Sequence, residues 1–213
     1  APDAFPVAEV QEIAADILKN RPIDALQYGV TEGYPELISL IKTRMKSKYG
    51  IGRDFDSIII TSGAQQVMDL STKVLCNEGD VVICESPSFI GSLNCFRSYN
   101  AKLVGVPVDA DGMNIEALEK ALDENPNAKM IYTIPNFQNP AGVTMSLEKR
   151  RKLYELAKAH NVMILEDNPY GLLGFDREPL PAMRSMDADG VIYLGSFSKT
   201  FAPGFRVGWA VAP

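Results

Sequence analysis

Two spacings of apolar residues alternate along the chain. Val10, Ile13, Ala14, Ile17 and Leu18 recur at three- and four-residue intervals, the period of a helix with one buried face. A polar, glycine-containing stretch from Leu26 to Pro35 follows. Leu37, Leu40, Ile41 and Met45 then mark a second helix, which Gly50 is placed to end. From Ser57 onward short apolar runs alternate with longer helical stretches. The runs cover 58–61, 81–84, 102–106, 130–133, 162–165, 191–194 and 207–211, and helices are predicted near 63–76, 88–98, 114–124 and 146–160. Several runs, Val81-Val82-Ile83-Cys84 among them, are apolar at every position. Strands covered by helices on both faces have that character. The pattern therefore predicts an α/β fold, a three-layer α/β/α arrangement around a mostly parallel seven-stranded sheet. Residues 1–50 read as an N-terminal helical segment and loop leading into a large domain over 51–213.

Composition narrows the function more than the fold. With Lys+Arg 21 against Asp+Glu 27 the 213-residue chain carries a net charge of −6, which lacks the basic footprint of a nucleic-acid binder. No apolar run approaches the roughly 18–20 residues of a membrane span, and no signal peptide opens the chain. Cys76, Cys84 and Cys95 form no C-x-x-C pair and are odd in number, which fits a reduced, cytoplasmic setting. The single histidine, His160, closes a predicted helix. No His-rich metal site and no Ser-His-Asp triad away from that residue can be built, and no metal is expected. Lys149-Arg150-Arg151-Lys152 is expected to form a solvated helix face.

The residues with chemical reach fall where ligands collect in open α/β sheets, beyond the carboxyl ends of the strands. Thr61-Ser62-Gly63-Ala64-Gln65-Gln66 is a small-residue turn opening a helix, whose free N–H groups and positive dipole end suit a phosphate. Glycine in such a turn also serves close packing alone. Phe89 is placed either to stack on a planar ligand or to join the core. Asn139-Pro140-Ala141-Gly142 is an ordinary turn former that also sets an amide within reach of a ring oxygen. Glu166-Asp167 ends a buried run, and a desolvated carboxylate there needs a cationic or hydrogen-bonding partner, or it takes up a proton. A protonated pyridine nitrogen would be such a partner. The most informative segment is Ser196-Phe197-Ser198-Lys199, with Arg206 seven residues beyond the lysine. A lysine whose pKa its surroundings lower can work as a Schiff-base amine, and an arginine beside two hydroxyls can grip a phosphate dianion. The same four residues spell the S-x-x-K of acylating serine enzymes, but the S-D-N and K-T-G companions are missing and the lysine follows a strand.

In order along the chain, Leu26-Gln27-Tyr28-Gly29, Ser62-Gly63-Ala64-Gln65-Gln66, Asn139-Pro140-x-Gly142, Glu166-Asp167-x-Pro169-Tyr170 and Ser196-x-Ser198-Lys199…Arg206 resemble a known family. It is the large domain of fold-type I, pyridoxal 5′-phosphate (PLP)-dependent aminotransferases, and within it the broad-range 2-aminoadipate/kynurenine group. The resemblance implies catalytic roles for Lys199, Asp167 and Tyr170. Lys199 would form the internal aldimine and shuttle a proton between the substrate Cα and the cofactor C4′, and Asp167 would keep the pyridine nitrogen protonated. Asn139 and Tyr170 would bind the ring's phenolic oxygen, and Phe89 would stack on the ring. Gly63, Ala64, Gln65, Ser196, Ser198 and Arg206 would surround the phosphate. Tyr28 would reach the phosphate of the neighbouring subunit in a homodimer. The implied reaction moves an amino group between an α-amino acid and a 2-oxo acid such as 2-oxoglutarate. Two other functions resemble it: the aminotransferase-like effector domain of a MocR-type transcriptional regulator, and another PLP enzyme such as a β-lyase. Ala64 departs from the Ser or Thr that many relatives carry. The family also continues beyond Ala212-Pro213 into a small C-terminal domain that supplies a substrate-binding arginine. The expectation is thus a large domain that binds PLP weakly and transaminates poorly.

Overall fold

Short β-branched and apolar runs become strands and the longer periodic stretches become helices, in the order the pattern predicts. The computed structural model describes residues 5–54, 56–176, 178–186 and 189–213. Helices α1 (Val7–Asn20), α2 (Pro22–Leu26) and α3 (Pro35–Tyr49) lead into strand β1 (Ser57–Ser62) and helix α4 (Ala64–Leu75). Then come β2 (Val81–Ser86), α5 (Ile90–Ser98), β3 (Lys102–Asp109), β4 (Gly112–Met113), α6 (Ile115–Glu124) and β5 (Ala128–Thr133). Helix α7 (Leu147–Ala159) precedes β6 (Met163–Asp167), β7 (Val191–Ser196) and β8 (Val207–Ala212). Local chemistry sets several of these ends. Asn114 and Ser146 cap α6 and α7 by accepting from the N–H of Ala117 and Lys149. Gly50 ends α3 in the left-handed conformation, φ +64°, that favours glycine.

The sheet runs β1-β8-β7-β6-β5-β2-β3-β4. Neighbours among β3, β2, β5, β6 and β7 are parallel, whereas β8 is antiparallel to β1 and β7, and β4 to β3. Among the described residues the sheet therefore has eight strands, not seven. The additional one, β4, has only two residues, too short for any apolar period to reveal.

Alternation across each strand divides the core in two. Ile83, Ile131, Ile164 and Val191 meet Leu118, Leu122 and Leu153 of α6 and α7, while Val82, Met130, Leu165 and Leu194 meet Val67, Met68 and Phe96 of α4 and α5. Each large side chain so buried contributes roughly 1.5–3 kcal/mol relative to exposure. Helix α3 covers β1 and β8 through Ile41, Met45, Trp209 and Val211.

Two further expectations change. The basic run of α7 is not wholly a solvated face. Arg150 is 0% exposed and donates to the carbonyls of Pro135, Met145 and Pro181 and to Asn136 Oδ1, and Lys149 pairs with Asp109 and Asp111 at 2.7 and 2.8 Å. Helix α1 forms as predicted but buries none of its residues, so Ile13, Ile17 and Leu18 stay exposed. Among the described residues no helix is long and apolar enough to cross a membrane.

Candidate active site

Strands β1, β2, β5, β6 and β7 all end on one side of the sheet, and a cleft of ≈ 220 Å³ is lined by the segments that follow them. At one end, Gly63 turns β1 into α4 with φ +75° and ψ 175°, a region essentially reserved for glycine. A Cβ there would lie 2.7 Å from Arg206 Cζ, so the missing side chain is what lets the guanidinium rest against the turn. Arg206 holds a left-handed backbone itself, φ +52°, after the 3₁₀ turn Pro203–Phe205. Ala64 and Gln65 line the cleft from the first turn of α4, where backbone N–H groups have no acceptor within the helix. Ser196 and Ser198 join them, with their hydroxyl oxygens 2.9 Å apart. A guanidinium, a helix N-terminus and two hydroxyls make this end a seat for a dianion.

The other end is acidic and dry. Asp167 closes β6 at 3% exposure, and Tyr132 donates its hydroxyl to Oδ2 at 2.7 Å. Oδ1 is buried and has no hydrogen-bond partner among the described residues. Burial pushes this carboxyl up to about 7, opposed by the Tyr132 hydrogen bond and reinforced by the charge of Glu85. Its neighbour Glu166 points to the opposite face of the sheet, where the N–H groups of Met183 and Arg184 satisfy it. Of the two acids, only Asp167 lines the cleft.

Asn139 and Tyr170 also line it. Burial and then the charge of Asp167 raise the Tyr170 hydroxyl, with hydrogen bonding to Asn139 acting the other way. Lys199 Nζ lies 6.0 Å from the centre of the Tyr170 ring. Phe89 forms one wall, its ring so close to Gly91 that a Cβ there would meet Cε1 at 2.6 Å.

Of the residues to which the resemblance gives a role at the site, all line this cleft except two. Gly63 supports Arg206 from behind the lining, and Tyr28, 98% exposed, stands away from the cleft of its own chain. Pro169 of the Glu166-Asp167-x-Pro169-Tyr170 motif completes the walls with Met68, Ile134 and Pro203, the last three not anticipated as lining. Behind them sits Glu85, which accepts from Thr133 Oγ1, Ile134 N and Gln138 Nε2 at 2.6, 3.1 and 3.0 Å. Burial pushes it up to about 7. The signal for Glu85 was a lone carboxylate closing the apolar run 81–84. A second buried chain ties the strand-end loops together. Arg150 holds Asn136, Asn136 donates to Asn168 Oδ1 at 2.8 Å, and Asn168 donates to the Tyr193 hydroxyl at 3.0 Å.

A family model described as aminotransferase class I and II matches residues 3–213. The chain is 43% identical to aromatic-amino-acid aminotransferase 1 of Thermococcus litoralis, covering 100% of this chain and 52% of that protein. It is 38% identical to the 2-aminoadipate transaminase of Thermus thermophilus, covering 100% and 53%. Among solved structures, Pyrococcus horikoshii kynurenine aminotransferase in complex with PMP superposes with a TM-score of 0.93 at 40% identity, covering 99% of this chain and 53% of that one. Proteins named as transcriptional regulators match at 33–36%. The chain spans about half the length of the curated relatives it matches. With the cleft and its lining in view, the match over nearly the whole chain is decisive for the family: the chain belongs to the class I and II aminotransferases.

Proposed function

We propose that this chain is the cofactor-binding part of a PLP-dependent transaminase, with residues 51–213 as the large domain and 1–50 leading into it. The observation that carries the reading is the pairing, across one cleft, of a dianion seat at Arg206 with a buried carboxyl oxygen of Asp167 that lacks a donor. PLP offers a phosphate to the first and a ring N–H to the second, so the residues present fit it. When bound, PLP supplies an electron sink that lets the Cα–H bond of an amino acid ionise.

The chain's own residues then have distinct tasks. Arg206, Ser196, Ser198 and the first turn of α4 hold the phosphate. Asp167 holds a proton on the ring nitrogen, gaining the partner that its burial demands. Asn139 and Tyr170 donate to the ring oxygen, and Phe89 covers a ring face. Lys199 Nζ would be the amine that holds the cofactor's aldehyde carbon and the base that takes the proton from the substrate Cα.

The kynurenine and aminoadipate relatives support an α-amino acid as donor, and a 2-oxo acid such as 2-oxoglutarate is the acceptor we infer for it. The exposed apolar side chains of residues 5–30 support burial against a second copy, a homodimer in which Tyr28 reaches the partner's phosphate site. Three free, buried cysteines support a cytoplasmic setting. The regulator reading is weaker, because the transaminases match at higher identity. The test is glutamate formation from 2-oxoglutarate and an aromatic or aminoadipate donor by the full-length protein. We expect PLP-dependent turnover that Lys199→Ala abolishes. Uptake of PLP without turnover on any donor would favour the regulator, and release of a β-substituent would favour a β-lyase.

A further inference from the structure

Asp167 is aimed by a residue that is not itself part of the cleft's lining. Tyr132 lies in the middle layer at 0% exposure, and its ring is fixed edge-on against Phe96, with centroids 5.4 Å apart at 68°. Its hydroxyl is 2.7 Å from Asp167 Oδ2. The χ2 torsion of an aspartate is broad and two-fold, so an unheld carboxyl turns easily. A single donor on one oxygen removes that freedom and favours the ionised form.

We propose that Tyr132 is the positioning residue of this site: by donating to Asp167 Oδ2 it locks the carboxyl so that Oδ1 alone is left for a donor entering the cleft. This rests on the PLP reading above. Tyr132 is the donor because burial holds its hydroxyl well above its ordinary range, so it keeps its proton. The other titratable groups near Asp167 are Glu85 across the sheet, Tyr193 on β7, and Tyr170 and Lys199 in the cleft. None of them is hydrogen-bonded to Oδ1.

Tyr132→Phe keeps the ring packing and deletes only the donor. Two readouts separate positioning from mere structure. In the chain without cofactor, carboxyl ¹³C NMR should show the Asp167 titration midpoint rising by about one pH unit in Tyr132→Phe, a tenfold change in proton affinity. PLP binding, followed by the cofactor's absorption, should weaken about tenfold in the same variant. Phe96→Leu, which loosens the packing around the ring but leaves the hydroxyl, should stay within about twofold of the parent in PLP affinity. An unchanged Asp167 midpoint, an unchanged PLP affinity, or an equal loss in Phe96→Leu would each overturn the proposal. Failure of the parent chain to take up PLP would overturn the reading of the site. A raised Asp167 midpoint in that case would show that the fault lay with the cofactor and not with the Tyr132–Asp167 pair.

Discussion

Replacing Glu85 with glutamine isolates the cost of one buried charge. Glu85 is 3% exposed, and its three hydrogen bonds come from neutral donors with no cation among them. Its carboxyl is pushed from an ordinary 4.5 up to about 7. A raised folded-state pKa means that the native chain binds more protons than the unfolded chain between those values, so stability falls as pH rises through the window. A shift of about 2.5 units at about 1.4 kcal/mol each amounts to ~3 kcal/mol of destabilisation at pH 8 that is largely absent at pH 5. Glutamine mimics the protonated side chain. Its oxygen can still accept from Ile134 N and Gln138 Nε2, and its NH₂ can donate to Thr133 Oγ1, because a hydroxyl can turn to accept. Glu85→Gln is therefore expected to match the parent at pH 5 and to exceed it by about 2–3 kcal/mol at pH 8. In a chain of this size that is a rise of roughly 4–12 °C in Tm. Urea unfolding at pH 5, 6, 7 and 8 reads it directly. Equal stability of the two proteins at every pH, or a margin of the variant over the parent that is no larger at pH 8 than at pH 5, would contradict the cost assigned to this buried charge.

Other substitutions probe the frame and the phosphate seat. Arg150→Leu strands three carbonyls and the Asn136 amide oxygen in the core, and a loss of at least ~3 kcal/mol is expected in urea unfolding. Arg150→Lys should recover little of it, since an ammonium cannot reproduce the fork that reaches four acceptors; a loss under about 1 kcal/mol for either variant would contradict this. Gly63→Ala forces an alanine into φ +75°, ψ 175° and against the Arg206 guanidinium. A cost of about 1–3 kcal/mol in stability is expected, together with weaker PLP binding as Arg206 is displaced; unchanged PLP affinity would remove Gly63 from the site.

Much of the site was legible because chemistry and topology coincide in this fold. Polar residues that interrupt apolar runs at strand ends have few reasons to be there, and Asp167, Ser196, Lys199 and Arg206 all stood out on that ground. The sheet was legible for the same reason: full burial on both faces erases alternation, and the run Val81–Cys84 shows it. What escaped depends on contacts distant in sequence or on very short elements. Helix α2 is a single turn of five residues and β4 a single pair, neither long enough to carry a period. Arg150 reads as one of four basic residues in a row, and only the loops packed over α7 reveal that it faces inward. Tyr132 looks like one more apolar strand residue until folding brings Asp167, 35 positions away, onto the same face of the sheet. The exposed apolar face of α1 was read correctly as helical, but none of the described residues buries it.

The account stands on the placement of one amine. If the folded chain is incubated with PLP, reduced with borohydride and digested, the phosphopyridoxyl label is predicted on Lys199 alone, and Arg206→Ala should lower the fraction labelled at limiting PLP. Label on any other lysine, or none on a chain shown to be folded, would show that Lys199 is not the amine that meets the cofactor.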